Sequence, residues 1–331
     1  MSHRKDTDYL AISTRIHVME TRMLTRERME RMIDAKDNAD ALKVLEECGY
    51  SGVSCTGIQG LEEMLAAARA AVFQDIRESA PDGNLVEVFQ LKYDYHNAKV
   101  LVKASAIGSD PARLLLSGGR DEPQELLEGW NREDLQCSPL FCEALAQAKT
   151  ILSETGDPQQ ADLVLDKAWY QEMGQMAQAC GSDFLQGYVR LNIDVANLRA
   201  AVRCARMEKD TEFVGRVLLP GGNVPERTIA MARGENLKDV FVGEALAQAA
   251  ELGSQLAQPG AGALTEFERM CDDAVTDYLA QAKMIPFGEQ TVIGYLYAKE
   301  AELTAVRTIL SGRMAGLEPD TIRSRLRASY V

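Results

Sequence analysis

The chain has 331 residues, of which 46% are hydrophobic and 26% charged, and a formal net charge of −14. That is enough apolar material for real cores and too little glycine and proline for a disordered chain. The acid excess is spread along the sequence and has the wrong sign for gripping a nucleic-acid backbone.

Aromatic residues make up only 6%, while Ala, Leu, Glu, Met and Gln are abundant, a composition that favours helix over sheet. No apolar run approaches the roughly 20 residues needed to span a bilayer. The opening MSHRKDTDYL lacks the apolar core of a signal peptide, so the chain is expected in the cytoplasm. The seven cysteines form no CxxC, and the closest pairs are Cys137/Cys142 and Cys48/Cys55. Free thiols in a reducing compartment are expected.

Residues 4–24 read as a first helix with Tyr9, Ile12, Ile16, Met19 and Met23 on one face. Thr25 suits the start of a short second helix, and Asp37 or Asn38 that of a third, which stops at Gly49. GYSGVSCTGIQG is a loop, and a long Ala/Leu/Glu/Met helix follows it as far as Pro81-Asp82-Gly83.

The next stretch, VFQLKYDYHNAKVLVK, carries two patterns. Val88, Leu91, Tyr95, Ala98 and Val102 line one helix face, and Asp94, Asn97 and Lys99 make a polar signature. Both return 100 residues later, as Tyr188, Leu191, Val195, Leu198 and Val202 with Asp194, Asn197 and Arg199. A fainter copy lies 108 residues further on. It has Leu296, Leu303, Val306 and Leu310 with Glu302, Ala305 and Arg307, and Lys299 stands in the column of Leu91 and Leu191.

The intervening elements keep register with these copies. The breaks LLLSGGRDEP and LLPGGNVPER echo one another, and their paired glycines read as helix terminators. Helices are expected near 138–155, 159–180 and 264–284, with short ones up to about Leu256 and a last one starting near Pro319. Gly83, Gly181 and Gly288 precede the signature acids by 11, 13 and 14 residues. The expectation is an all-α fold of three similar helical lobes, bounded as 1–112, 113–215 and 216–331.

Little in this pattern is catalytic. The histidines are His3, His17 and His96, and the column of His96 holds Ala196 and Thr304 in the other copies, which argues against a metal at Asp94 and His96. Gly118-Gly119 and Gly221-Gly222 do not fit a GxxxxGK[ST] phosphate loop. No Ser or Cys has a credible histidine partner. The expectation is no enzyme, no cofactor and no metal, with the signature residues serving structure.

At these residues the chain resembles the C subunits of the bacterial and archaeal V/A-type ATPases, whose eukaryotic relative is the d subunit of the V-ATPase. The likeness is carried by LKYDYHNAKVLVKA, LNIDVANLRAAVRCAR and the segment from PFGEQTVIGYLYAKE to the last residue, in the same order along nearly the whole chain. What the resemblance implies is a funnel of three helical lobes on the cytoplasmic face of the membrane. Such a protein is a non-catalytic rotor part that joins the central-shaft subunits to the ring of membrane proteolipids and transmits torque for ion transport. Asp94, Asn97, Lys99, Asp194, Asn197, Arg199, Glu302 and Arg307 would then hold lobes together. Arg323, Arg325 and Arg327 are the candidates for partner contact. Two rival readings are a helical-repeat adaptor for soluble partners and a carboxylate-rich metal hydrolase.

Overall fold

A computed structural model describes residues 4–50, 57–232, 234–243 and 245–331. His3, Cys55 and the middle of the loop between Gly49 and Gly60 lie outside the described residues. Among the described residues the fold is all helical, with no strand.

The helices follow the punctuation of the sequence. After a single tight turn at Asp6–Tyr9 come α1 (Leu10–Glu20), α2 (Arg26–Ile33), α3 (Asn38–Glu47) and α4 (Gly57–Ser79). Thr25 caps α2 by accepting the Arg28 N–H at 3.3 Å, and Asp37 caps α3 by accepting that of Asp40 at 2.9 Å. The first signature helix is α5 (Leu85–Ile107). Then follow α6 (Pro123–Arg132), α7 (Pro139–Thr155) and α8 (Pro158–Cys180), each with proline in its first turn, where the missing N–H costs nothing.

The second signature helix is α9 (Asp183–Arg206). Short helices follow: α10 (Thr211–Val217), α11 (Glu226–Met231), α12 (Leu237–Val240) and α13 (Ala247–Leu256). The helix expected over 264–284 is α14 (Thr265–Ala280), which tightens into a 3-10 turn at Gln281–Met284. The third signature helix is α15 (Glu289–Met314), and α16 (Pro319–Arg325) ends before Arg327.

The three signature helices end alike. Gly108, Glu208 and Gly316 all take positive φ, at 65°, 52° and 70°. In each case the following N–H reaches back five residues, to the carbonyls of Ala104, Cys204 and Gly312, at 3.0 Å. This is the Schellman ending of a helix. It recurs at the same 100- and 108-residue offsets as the signature acids, an internal match independent of the side chains. At Glu208 it is made without glycine, although a non-glycine residue in that conformation is sterically disfavoured.

The contacts group the chain into two compact units. One takes Met1–Leu85, Val242–Leu252 and Gly262–Val331, and the other Val86–Phe241 and Gly253–Ala261. The boundaries expected at 112/113 and 215/216 fall inside the second. In the first unit the core surrounds α15. Leu303, Val306, Ile309 and Leu310 pack with Met29, Met32 and Ile33 of α2, Val44 and Leu45 of α3, and Leu61 and Leu65 of α4. In the second unit, Tyr95 of α5 meets Phe141 of α7 edge to face at 5.2 Å, and Phe89 stacks on Tyr188 at 5.8 Å.

An ion pair joins α4 and α15 inside the first unit. Arg69 of α4 and Glu300 of α15 meet at 3.1 Å with both side chains 8% exposed. Two charges taken out of water cost more to separate than to remove together. We therefore predict that Arg69→Met alone lowers unfolding free energy by about 3–5 kcal/mol. Adding Glu300→Leu should recover most of that loss, read by denaturant titration. A double variant no more stable than Arg69→Met would contradict this.

Candidate functional site

A polar residue on the buried face of a helix needs something buried to bond it. On α5 and α9 such residues include the signature acids and asparagines, all 5% exposed or less. Their partners are the loops that follow each helix.

Asn97 grips one peptide unit from both sides. Its Nδ2 donates to the Leu116 carbonyl at 2.9 Å, and its Oδ1 accepts the Leu116 N–H at 2.8 Å. Asn197 does the same to Leu219, at 2.8 and 2.7 Å. A carboxamide offers a donor and an acceptor at this spacing, whereas an ionised aspartate offers acceptors only.

The acids hold the same loops four residues further on. Asp94 accepts the Arg120 N–H at 2.9 Å and the Arg120 Nε at 2.6 Å. Asp194 accepts the N–H groups of Asn223 and Val224, at 3.1 and 3.2 Å, and the Asn223 amide at 2.8 Å. The paired glycines make this approach possible. Gly118 and Gly221 take φ of 110° and 97°, while a Cβ on Gly119 or Gly222 would collide with the carboxylate of Asp94 or Asp194. The expectation that these glycines end helices is thereby corrected. They seat a loop on a buried carboxylate, and the helices before them end at Ile107 and Val217. His96 joins the first loop by donating from Nε2 to the Leu114 carbonyl at 3.3 Å.

The first clamp carries more charge than the second. Arg120 also donates to Glu172 of α8 at 2.8 Å, and the Tyr95 hydroxyl donates to the other Glu172 oxygen at 2.8 Å. Burial pushes the Asp94 carboxyl up to about 6 against the pull of Arg120. Burial likewise raises that of Asp194. Arg120 and Glu172 were not singled out in the sequence. The signal available was the constant spacing from Leu116 to Arg120 and from Leu219 to Asn223.

The basic signature positions tie helices together. Lys99 pairs with Asp166 of α8 at 2.6 Å, and Lys103 with Asp162 at 2.6 Å. Arg199 is half-buried on α9 near Tyr170. Arg307 pairs with Glu62 of α4. Glu302 accepts the Leu24 N–H at 2.6 Å and bonds Tyr50 and Lys299.

Arg323 is spent on Glu30, Asp34 and Asp320, and Arg327 on Asp272 at 2.6 Å. Arg325 is exposed. Among the described residues no group of three His, Cys, Asp or Glu side chains is placed to hold a metal. No described helix is long and apolar enough to cross a membrane.

The first clamp gives a pH signature. Asp94 binds its proton more tightly when folded, since its pKa rises from 3.8 to about 6. Its contribution is therefore most favourable to folding at the acid end and is lost as pH rises through about 6. The predicted difference in unfolding free energy between the parent chain and Asp94→Asn falls by about 2 kcal/mol from pH 4 to pH 7. A flat or rising difference would contradict the assignment.

The comparisons cover nearly the whole chain. A family model described as ATP synthase (C/AC39) subunit matches residues 12–325. The V-type sodium ATPase C subunit of Enterococcus hirae is 23% identical over 98% of this chain and 99% of its own length. The A-type ATP synthase C subunit of Haloferax volcanii is 26% identical over 87% and 88%. That of Methanocaldococcus jannaschii is 22% identical over 96% and 86%. With the family match running from the first helix to the last, the chain belongs to the ATP synthase (C/AC39) subunit family.

Proposed function

We propose that the chain is a non-catalytic central-stalk subunit of a V/A-type rotary ATPase. It stands on the cytoplasmic face of the membrane, between the central-shaft subunits and the proteolipid ring, and passes torque between them. The observation that carries this reading is the family match over residues 12–325. The three-lobed funnel, with boundaries at 112/113 and 215/216, belongs to the same proposal.

The residues fit a mechanical part. A rotor component is loaded sideways and must not yield within itself. Here the loops are bolted to buried helices by two-pronged hydrogen bonds, and charged rungs such as Lys99–Asp166 cross-link helices. Such groups resist shear because each bond lost leaves a buried polar atom unsatisfied. The partner surfaces then lie outside these groups. Of the three arginines near the end of the sequence, Arg325 is the one left exposed for a partner.

The test is functional. Membranes lacking this chain should lose ATP-driven ion uptake while the detached head continues to hydrolyse ATP, and adding the chain back should restore uptake. Normal pumping without it, or co-purification with soluble proteins alone, would overturn the proposal.

A further inference from the structure

The third signature helix departs from the other two at three positions together. Lysine replaces leucine at 299, glutamate replaces aspartate at 302, and alanine replaces asparagine at 305. With alanine at 305, α15 has no carboxamide at the signature position to grip a peptide. Yet a buried leucine peptide is held on the same stretch of helix. Glu302 Oε2 accepts the Leu24 N–H at 2.6 Å, and the Ser329 hydroxyl donates to the Leu24 carbonyl at 3.5 Å.

The surroundings of Leu24 match those of Leu116 and Leu219. Each follows an apolar residue: Met23, Leu115 and Leu218. Each precedes a short helix (α2, α6 or α11) whose fourth residue is a buried apolar one: Met29, Leu126 or Ile229. That residue comes ten positions after Leu116 and Leu219 but five after Leu24. The shorter connection lacks the paired glycines that seat an aspartate.

Two of the replacements compensate for this and for the lost asparagine. The extra methylene of Glu302 reaches the leucine peptide itself instead of a loop N–H beyond it. Its charge is 3% exposed and is met by Lys299, which has entered an otherwise apolar column. We propose that the Met23–Leu24 turn is the third clamped loop of the repeat, with Glu302, paired to Lys299, and Ser329 doing the work of the missing asparagine. A segment from the start of the sequence thereby completes the repeat unit whose signature helix lies near its end. The turn, α15 and Ser329 thus form a clasp within one compact unit.

Transplanting the missing residue tests the equivalence. In the full chain, Glu302→Ala should speed exchange of the Leu24 amide about 10- to 100-fold, as expected for losing a buried bond to a charged group. Adding Ala305→Asn should return Leu24 protection toward the parent value, because the asparagine would face the same peptide as Asn97 and Asn197 do. Ala305→Asn alone should keep or raise Leu24 protection, which covers the case in which Glu302→Ala does not fold. If Ala305→Asn fails to rescue, or lowers Leu24 protection on its own, Leu24 is not the counterpart of Leu116 and Leu219.

Discussion

A buried polar side chain must be bonded, and a helix packed on every face must bond it to something other than water. In α5 and α9 that constraint falls on one asparagine and one acid each. All four are buried, and each finds a partner in the backbone of the following loop. The loop is therefore part of the core's hydrogen bonding rather than a tether between helices. The second glycine of each pair follows from the same constraint, because a side chain there would occupy the space of the carboxylate.

The copies show how much variation the constraint allows. The second clamp bonds its acid with two N–H groups and an asparagine amide. The first uses a guanidinium shared between two buried carboxylates. The third moves the acid one methylene outward and brings in a lysine. Each solution leaves the leucine peptide held. In all three helices the groups that hold the loop lie in the interior.

Much of this was legible in the sequence. The two periodicities on α5 and α9 fixed their buried faces, and the helix breaks fell where Gly, Pro and the capping residues pointed. The all-α class followed. What could not be read was the identity of the bonded partners. Asn97 lies 19 residues from Leu116 and Asn197 lies 22 from Leu219, so the clamp is a tertiary contact with no fixed local spacing. Paired glycines after leucines look like terminators because the carboxylate that requires them is distant in sequence. Leu24 was further hidden. Its partner Glu302 is 278 residues away, and the shortened turn has lost the glycines that mark the other two. The acid partners of Arg323 and Arg327 were hidden in the same way, since Glu30, Asp34 and Asp272 come from elsewhere in the chain.

The central claim is that the asparagine clamps make two loops part of the cooperative core. Native-state hydrogen exchange at the Leu116 and Leu219 amides tests it most directly. If the account holds, both exchange only through the opening that releases the buried amides of α5 and α9, with the same dependence on denaturant. Exchange at the rate of exposed loop amides, through local fluctuation independent of denaturant, would contradict it.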